Sequence, residues 1–133
     1  MNKIESILTE AKVFFLATTE GTQPKIRPIS THIEADGKVL FGLDETHSVC
    51  RQVKTNPQVE IVAMAGNRWL RYTGKAVFET APAYEQLALE RFPLLKNIYN
   101  AETRKHLAIF RLEDATAFLM DGSGNGESIE VPR

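Results

Sequence analysis

The dipeptide Asp36-Gly37 constrains this chain more than any other pair of residues, because of what lies on either side of it. Residues 25–35 and 38–43 are both rich in apolar and β-branched side chains, and only two residues separate them. A two-residue link between such runs is a tight hairpin, and Asp-Gly suits the positive φ angles that its turn requires. The two runs are therefore read as antiparallel partners. The preceding run, 13–19, ends at Glu20-Gly21 and extends the pattern to a three-stranded meander.

The rest of the chain keeps the same character. Residues 2–12 place Ile4, Ile7, Leu8 and Ala11 at helical spacing, which predicts a short amphipathic helix. A second short helix is expected over 48–55, closed by Asn56-Pro57, since a proline disfavours helix in the residue before it. Residues 58–65 are nearly all apolar, as in a covered central strand. Residues 68–80 alternate: Leu70, Tyr72, Gly74, Ala76 and Phe78 take one face, and Trp69, Arg71, Thr73, Lys75 and Val77 the other. Residues 83–100 are helical in pattern with a break at Pro93, and 106–112 and 115–120 read as the last strands. Residues 122–133, with three glycines between Gly122 and Gly126, read as a turn or mobile tail. The expectation is a mainly β fold with short α-helices, of about six antiparallel strands, forming a single domain over 1–133 as a small barrel or sandwich.

Charge removes several function classes. Sixteen basic residues against seventeen acidic ones leave a net charge of -1, so no bulk field favours nucleic acid or an anionic membrane surface. The single cysteine, Cys50, excludes an intramolecular disulfide framework and reads as a small buried apolar residue. Neither a signal peptide nor an apolar run of membrane-spanning length is seen, and the expectation is a cytoplasmic protein. His32, His47 and His106 are scattered without a ligand spacing, so no metal site is expected.

Three local features can carry chemistry. Arg27-Pro28-Ile29 lies inside the second strand, where proline implies an edge or a bulge. An arginine there either points into a cleft and binds phosphate through its planar fork, or is a solvated edge residue. Thr46-His47-Ser48 opens the second helix, whose free amides favour an anion, and Arg51 follows one turn later; an ordinary helix cap explains the same residues. Trp69 and Arg71 stand on the face opposite Leu70 and Tyr72, as an interface, a stacking platform or a plain surface pair.

In order and spacing these pieces resemble the pyridoxamine 5'-phosphate oxidase-like family of FMN-binding split barrels, over about residues 5–120. The markers are Phe15-Leu16-Ala17-Thr18-Thr19, Pro24 to Ile29, Asp36-Gly37-Lys38, Gln52 through Ile61, and Gly74-Lys75-Ala76. The resemblance implies a split β-barrel homodimer with two flavin sites at the subunit interface. On that basis Arg27, Pro28 and Ile29 lie against FMN, with Arg27 on the phosphate. Gly42 and Leu43 line the ribityl chain or ring edge, His47, Ser48 and Arg51 surround the phosphate, and Trp69 approaches from the long strand. Relatives carry a lysine or arginine where His47-Ser48-Val49 stands here, and often a threonine at the place of Leu43, which implies a weaker hold on the phosphate. The implied activity is an FMN-dependent oxidoreductase of small molecules. The alternatives are a non-catalytic flavin-binding redox or stress protein, a haem-binding relative with His32, His47 or His106 as iron ligands, and a dimer that has lost its cofactor.

Overall fold

The computed structural model describes residues 2–131. Helix α1 (Lys3–Ala11) leads into β1 (Phe14–Glu20), β2 (Gln23–Ile29), β3 (His32–Ala35) and β4 (Lys38–Asp44). Helix α2 (Ser48–Thr55), β5 (Gln58–Ala65), β6 (Arg68–Glu79) and α3 (Pro82–Arg91) follow. A 3₁₀ turn (Pro93–Asn97), the long strand β7 (Leu107–Met120) and β8 (Gly126–Ile129) complete the order. The strands form one antiparallel sheet in the order β2-β1-β5-β6-β7-β4-β3, with β8 paired to β7. This is a mainly β, split-barrel architecture, as expected. No helix among the described residues is long and apolar enough to cross a membrane.

The Asp36-Gly37 hairpin forms as read, with φ of 53° and 73° and Ala35 paired to Lys38. The run 25–35, however, is not one strand. It divides at residues 30–31, where the chain leaves the sheet edge at β2 and enters the opposite edge as β3. The Gly42 amide donates to the Thr31 carbonyl at 3.1 Å, holding the crossing segment on β4. A Cβ at Gly42 would lie 2.8 Å from Thr31 Cγ2, so the absence of a side chain permits this contact. Pro28 makes no bulge: β1 and β2 pair without a slip from Phe14↔Ile29 to Glu20↔Gln23. The proline is accommodated because β2 is an edge.

Two further expectations change. The two runs expected over 106–112 and 115–120 form a single strand, Leu107–Met120, kinked rather than interrupted by Glu113-Asp114. Between Thr73↔Thr116 and Lys75↔Glu113, the lone Gly74 faces two residues of β7, and Asp114 adopts a φ of 51°. That is a β-bulge, which keeps the ladder while bending it. The break expected at Pro93 is present: α3 ends before it and a 3₁₀ turn follows, since proline cannot continue the helical hydrogen bonds. The segment read as a turn or mobile tail contains β8, whose Ile129 is buried in the barrel. The intervening turn is closed by Asp121 Oδ1, which accepts from the Ser123 and Asn125 amides.

Inside the barrel, Phe14, Phe41, Tyr72 and Phe110 are buried together with Leu16, Ile61 and Leu70. α1 closes one end with Ile4, Ile7 and Leu8. A second cluster, including Leu40, Tyr84, Tyr99 and Ile109, packs α3 against the outside of β3, β4 and β7. At Gly74 a Cβ would meet Ala115 Cβ and the Glu113 carbonyl oxygen, each at 3.0 Å. Gly74→Val is expected to destabilise the fold by about 1–3 kcal/mol, because backbone on the facing strand cannot yield cheaply. A urea midpoint within error of the parent would contradict this reading of the bulge.

Candidate functional site

The inward face of β1 alternates Phe14, Leu16 and Thr18, all buried, and Arg27 of β2 pairs with Leu16 on that same face. Arg27 reaches across to α2. Its Nη1 donates to the Thr18 hydroxyl at 2.8 Å and to the Leu16 carbonyl at 3.2 Å, and its Nη2 donates to Gln52 Oε1 at 2.8 Å. Thr18 passes its own proton to the same Gln52 oxygen at 2.8 Å, and Gln52 Nε2 donates to Glu20 at 3.2 Å. Thr18 and Gln52 are 3% and 7% exposed, so the arginine is held by buried partners rather than by solvent. Partial burial lowers the Arg27 pKa from its ordinary value, though a guanidinium remains a cation in proteins. Three of its five N–H donors are engaged, leaving two for a ligand.

Gln52 sits one turn after Ser48, so the Arg27 cluster lies along the same helix as the first turn of α2. The expected serine or threonine cap is not formed. Thr46 is turned back instead, with both its amide and its hydroxyl donating to Asp44 Oδ1, at 2.9 and 2.6 Å. His47 occupies the cap position, and no side chain caps the helix. His47 and Ser48 are exposed, as is Arg51, and the His47 Nε2 lies 3.5 Å from Asp44 Oδ2. The result is a helix start with no side-chain cap and an exposed basic side chain, Arg51, one turn along that has no partner among the described residues.

The remaining site candidates fall in different surroundings. Pro28 is exposed and Ile29 partly buried on the β2 edge. Gly42 is tied to the crossing segment, and Leu43 is a core residue at 3% exposure, its side chain turned into the barrel. Trp69 is half-buried on the outward face of β6, between Met64 and Met120 of the neighbouring strands. Arg27 belongs to the inward face, so within one protomer Trp69 and Arg27 lie on opposite sides of the sheet. That outward face also exposes Phe15, Met64 and Phe118. The charge beside Trp69 is neutralised, since Arg71 pairs with Glu60 at 2.7 Å. Cys50 is buried, which raises its thiol pKa.

The three histidines do not converge. His32 is buried and bonded through Nδ1 to Glu5 at 2.6 Å, His47 faces Asp44, and exposed His106 meets Glu85 at 3.0 Å. Two residues of the cluster, Thr18 and Gln52, escaped the sequence reading as site residues. The available signal was a polar threonine on the inward face of β1 and a glutamine one turn after the helix start.

A family model described as pyridoxamine 5'-phosphate oxidase matches residues 1–115. No curated protein sequence matches the chain. Among solved structures, a NimC/NimA family protein of Clostridium acetobutylicum is 31% identical, with a TM-score of 0.86, covering 96% of this chain and 89% of that one. A heme-binding protein of Mycobacterium smegmatis is 18% identical, with a TM-score of 0.68, covering 92% of this chain and 54% of that one. A FAD-binding protein of Mesorhizobium loti is 15% identical, with a TM-score of 0.58, covering 86% and 89%. The last two likenesses are of fold.

Proposed function

Because this chain belongs to the pyridoxamine 5'-phosphate oxidase family, we propose that it binds FMN in a site shared by two copies and uses it in redox chemistry on a small molecule. The observation that carries this reading is the Arg27–Thr18–Gln52 cluster beside the uncapped start of α2. A guanidinium held in place by buried partners costs little ordering on binding, and its spare donors suit a phosphate oxygen. The amides of the first turn of α2 and the Ser48 hydroxyl add neutral donors, and Arg51 adds a second cation. These groups bind and orient the phosphate. The segment 47–49 adds no fixed cation, so Arg27 carries a larger share of the affinity here.

The placement of Trp69 supports a site completed by a second copy. Within one protomer it lies across the sheet from Arg27, among exposed apolar side chains that a partner would cover. When bound, FMN supplies reversible one- and two-electron transfer, while the protein fixes its orientation and limits side reactions.

FMN titration of purified protein, followed by quenching of flavin fluorescence, tests the reading. Saturable uptake is expected. Arg27→Ala should weaken it at least about tenfold, the loss of one charge-assisted contact. Sedimentation should show the same assembly for both proteins. Unchanged affinity in Arg27→Ala removes the phosphate role of this residue, and no saturable uptake by the parent removes FMN altogether. Saturable haem uptake with a Soret band, in place of FMN, would redirect the family assignment toward the other cofactor.

A further inference from the structure

On the edge of β7 away from β6, β4 pairs with residues 107–110 and β8 with residues 117–120. Residues 111–116 pair with no strand on that edge among the described residues. The barrel wall therefore has a gap, and a cavity of about 610 Å³ opens there. Val39, Leu112, Ala115 and Val131 supply its apolar lining. The volume is that of a small-molecule site.

One polar side chain lies at the inner end. Tyr72 belongs to the barrel interior at 2% exposure, yet its hydroxyl bonds to no described residue. The hydroxyl is not sealed in either, since Glu5 Oε2 is the only sealed side-chain atom without a partner among the described residues. It therefore opens on the cavity that Tyr72 lines. Burial pushes its pKa up to about 12, so at neutral pH it keeps its proton and both donates and accepts. The outer end is acidic. Glu113, Asp114 and Glu130 line the opening, and all three are exposed. Asp114 and Glu130 have no cationic partner among the described residues. The two cations there, Lys38 and Arg111, are both bonded to Glu79 Oε1, at 3.0 and 2.8 Å. Arg111 also leaves β7 on the face opposite Phe110 and Leu112, away from the Tyr72 hydroxyl.

We propose that this cavity binds a primary amine whose compact apolar body ends in a hydroxyl group. The ammonium stays in the acidic opening beside Asp114 and Glu130, where it keeps most of its water and gains a modest attraction. The apolar body rests on Val39, Leu112 and Val131. Its hydroxyl hydrogen-bonds to Tyr72 at the inner end, giving that buried group the partner it lacks. Carboxylates and phosphates are repelled at the opening. The site shares no residue with the Arg27 cluster, so it stands apart from the FMN reading.

The test is tyramine titrated into the full chain, followed by NMR of labelled methyl groups. Saturable shifts are expected at Val39, Leu112 and Val131, with a dissociation constant of about 1 mM. Phenethylamine, which lacks the hydroxyl, should bind about fivefold more weakly. Desaminotyrosine, with the same phenol and a carboxylate in place of the ammonium, should bind at least about tenfold more weakly. Tyr72→Phe, which keeps the ring, should bring tyramine to the level of phenethylamine and leave phenethylamine unchanged. Asp114→Asn with Glu130→Gln should weaken both amines about fivefold. Asparagine tolerates the φ of 51° at position 114, so the bulge is kept. Arg27→Ala should leave all these affinities unchanged. The proposal is overturned by no saturable shift up to about 20 mM tyramine, by equal affinity for desaminotyrosine, or by full tyramine affinity in Tyr72→Phe or in the double variant.

Discussion

Phe41→Ala is expected to lower the unfolding free energy by about 3–5 kcal/mol, the range for deleting a buried aromatic ring. Phe41 is fully buried and central to the barrel interior. Its ring centroid lies 5.4 Å from Phe110, 5.8 Å from Phe14 and 6.3 Å from Tyr72, so three other rings lose a partner. The backbone on both sides is fixed by pairing to His32 and to Phe110, which limits how far the space can close. Phe41→Leu, which keeps most of the volume, should cost much less, about 1–1.5 kcal/mol. Urea unfolding of the two variants checks this. A loss below about 1 kcal/mol in Phe41→Ala would mean that the interior refills, against the tight packing described.

The second large effect is expected beneath α1. Glu5 and His32 are 2% and 3% exposed and bonded at 2.6 Å, while the other Glu5 oxygen has no partner. Phe14 and Phe92 set their edges against the imidazole at 5.7 and 5.9 Å. His32→Leu leaves a buried carboxyl group with neither oxygen satisfied, and should cost about 3–5 kcal/mol. Glu5→Leu with His32→Leu should cost less than the sum of the single changes, because the double variant buries no unpaired polar group. A double-mutant cycle in chemical denaturation measures the coupling, expected at about 1–3 kcal/mol. Additive effects would show that the two groups hold α1 independently.

What the sequence made legible follows from the range of each interaction. The Asp36-Gly37 hairpin and the alternation along residues 68–80 are local signals, and both appear in the structure as written in the residues. The division of 25–35 is not local. Nothing between Arg27 and His32 spells out that the chain must cross from one sheet edge to the other, and the contact that holds the crossing is made by Gly42. Glu113-Asp114 carries the polarity of a loop, yet the long pairing with β6 absorbs it as a bulge opposite Gly74. β8 was hidden by the glycines beside it, because its stability comes from pairing with β7 and from burying Ile129.

The same distinction governs the site. Arg27 and the start of α2 could be singled out from proline and helix-start chemistry. Their connection through Thr18 and Gln52 spans 34 residues and no motif encodes it. The face of Trp69 was also readable, but its separation from Arg27 depends on which side of the sheet meets α2. Leu43, expected to line a ligand, turns its apolar side chain into the barrel.

The unbroken β1–β2 ladder contains Pro24 and Pro28, which it tolerates only where their nitrogens look away from β1. The outer border of β2 is therefore short of the amide donors that another strand would need to continue the sheet. Growth by adding strand to strand is blocked there. A pair of copies, as proposed above, would therefore meet otherwise than by continuing the sheet at β2.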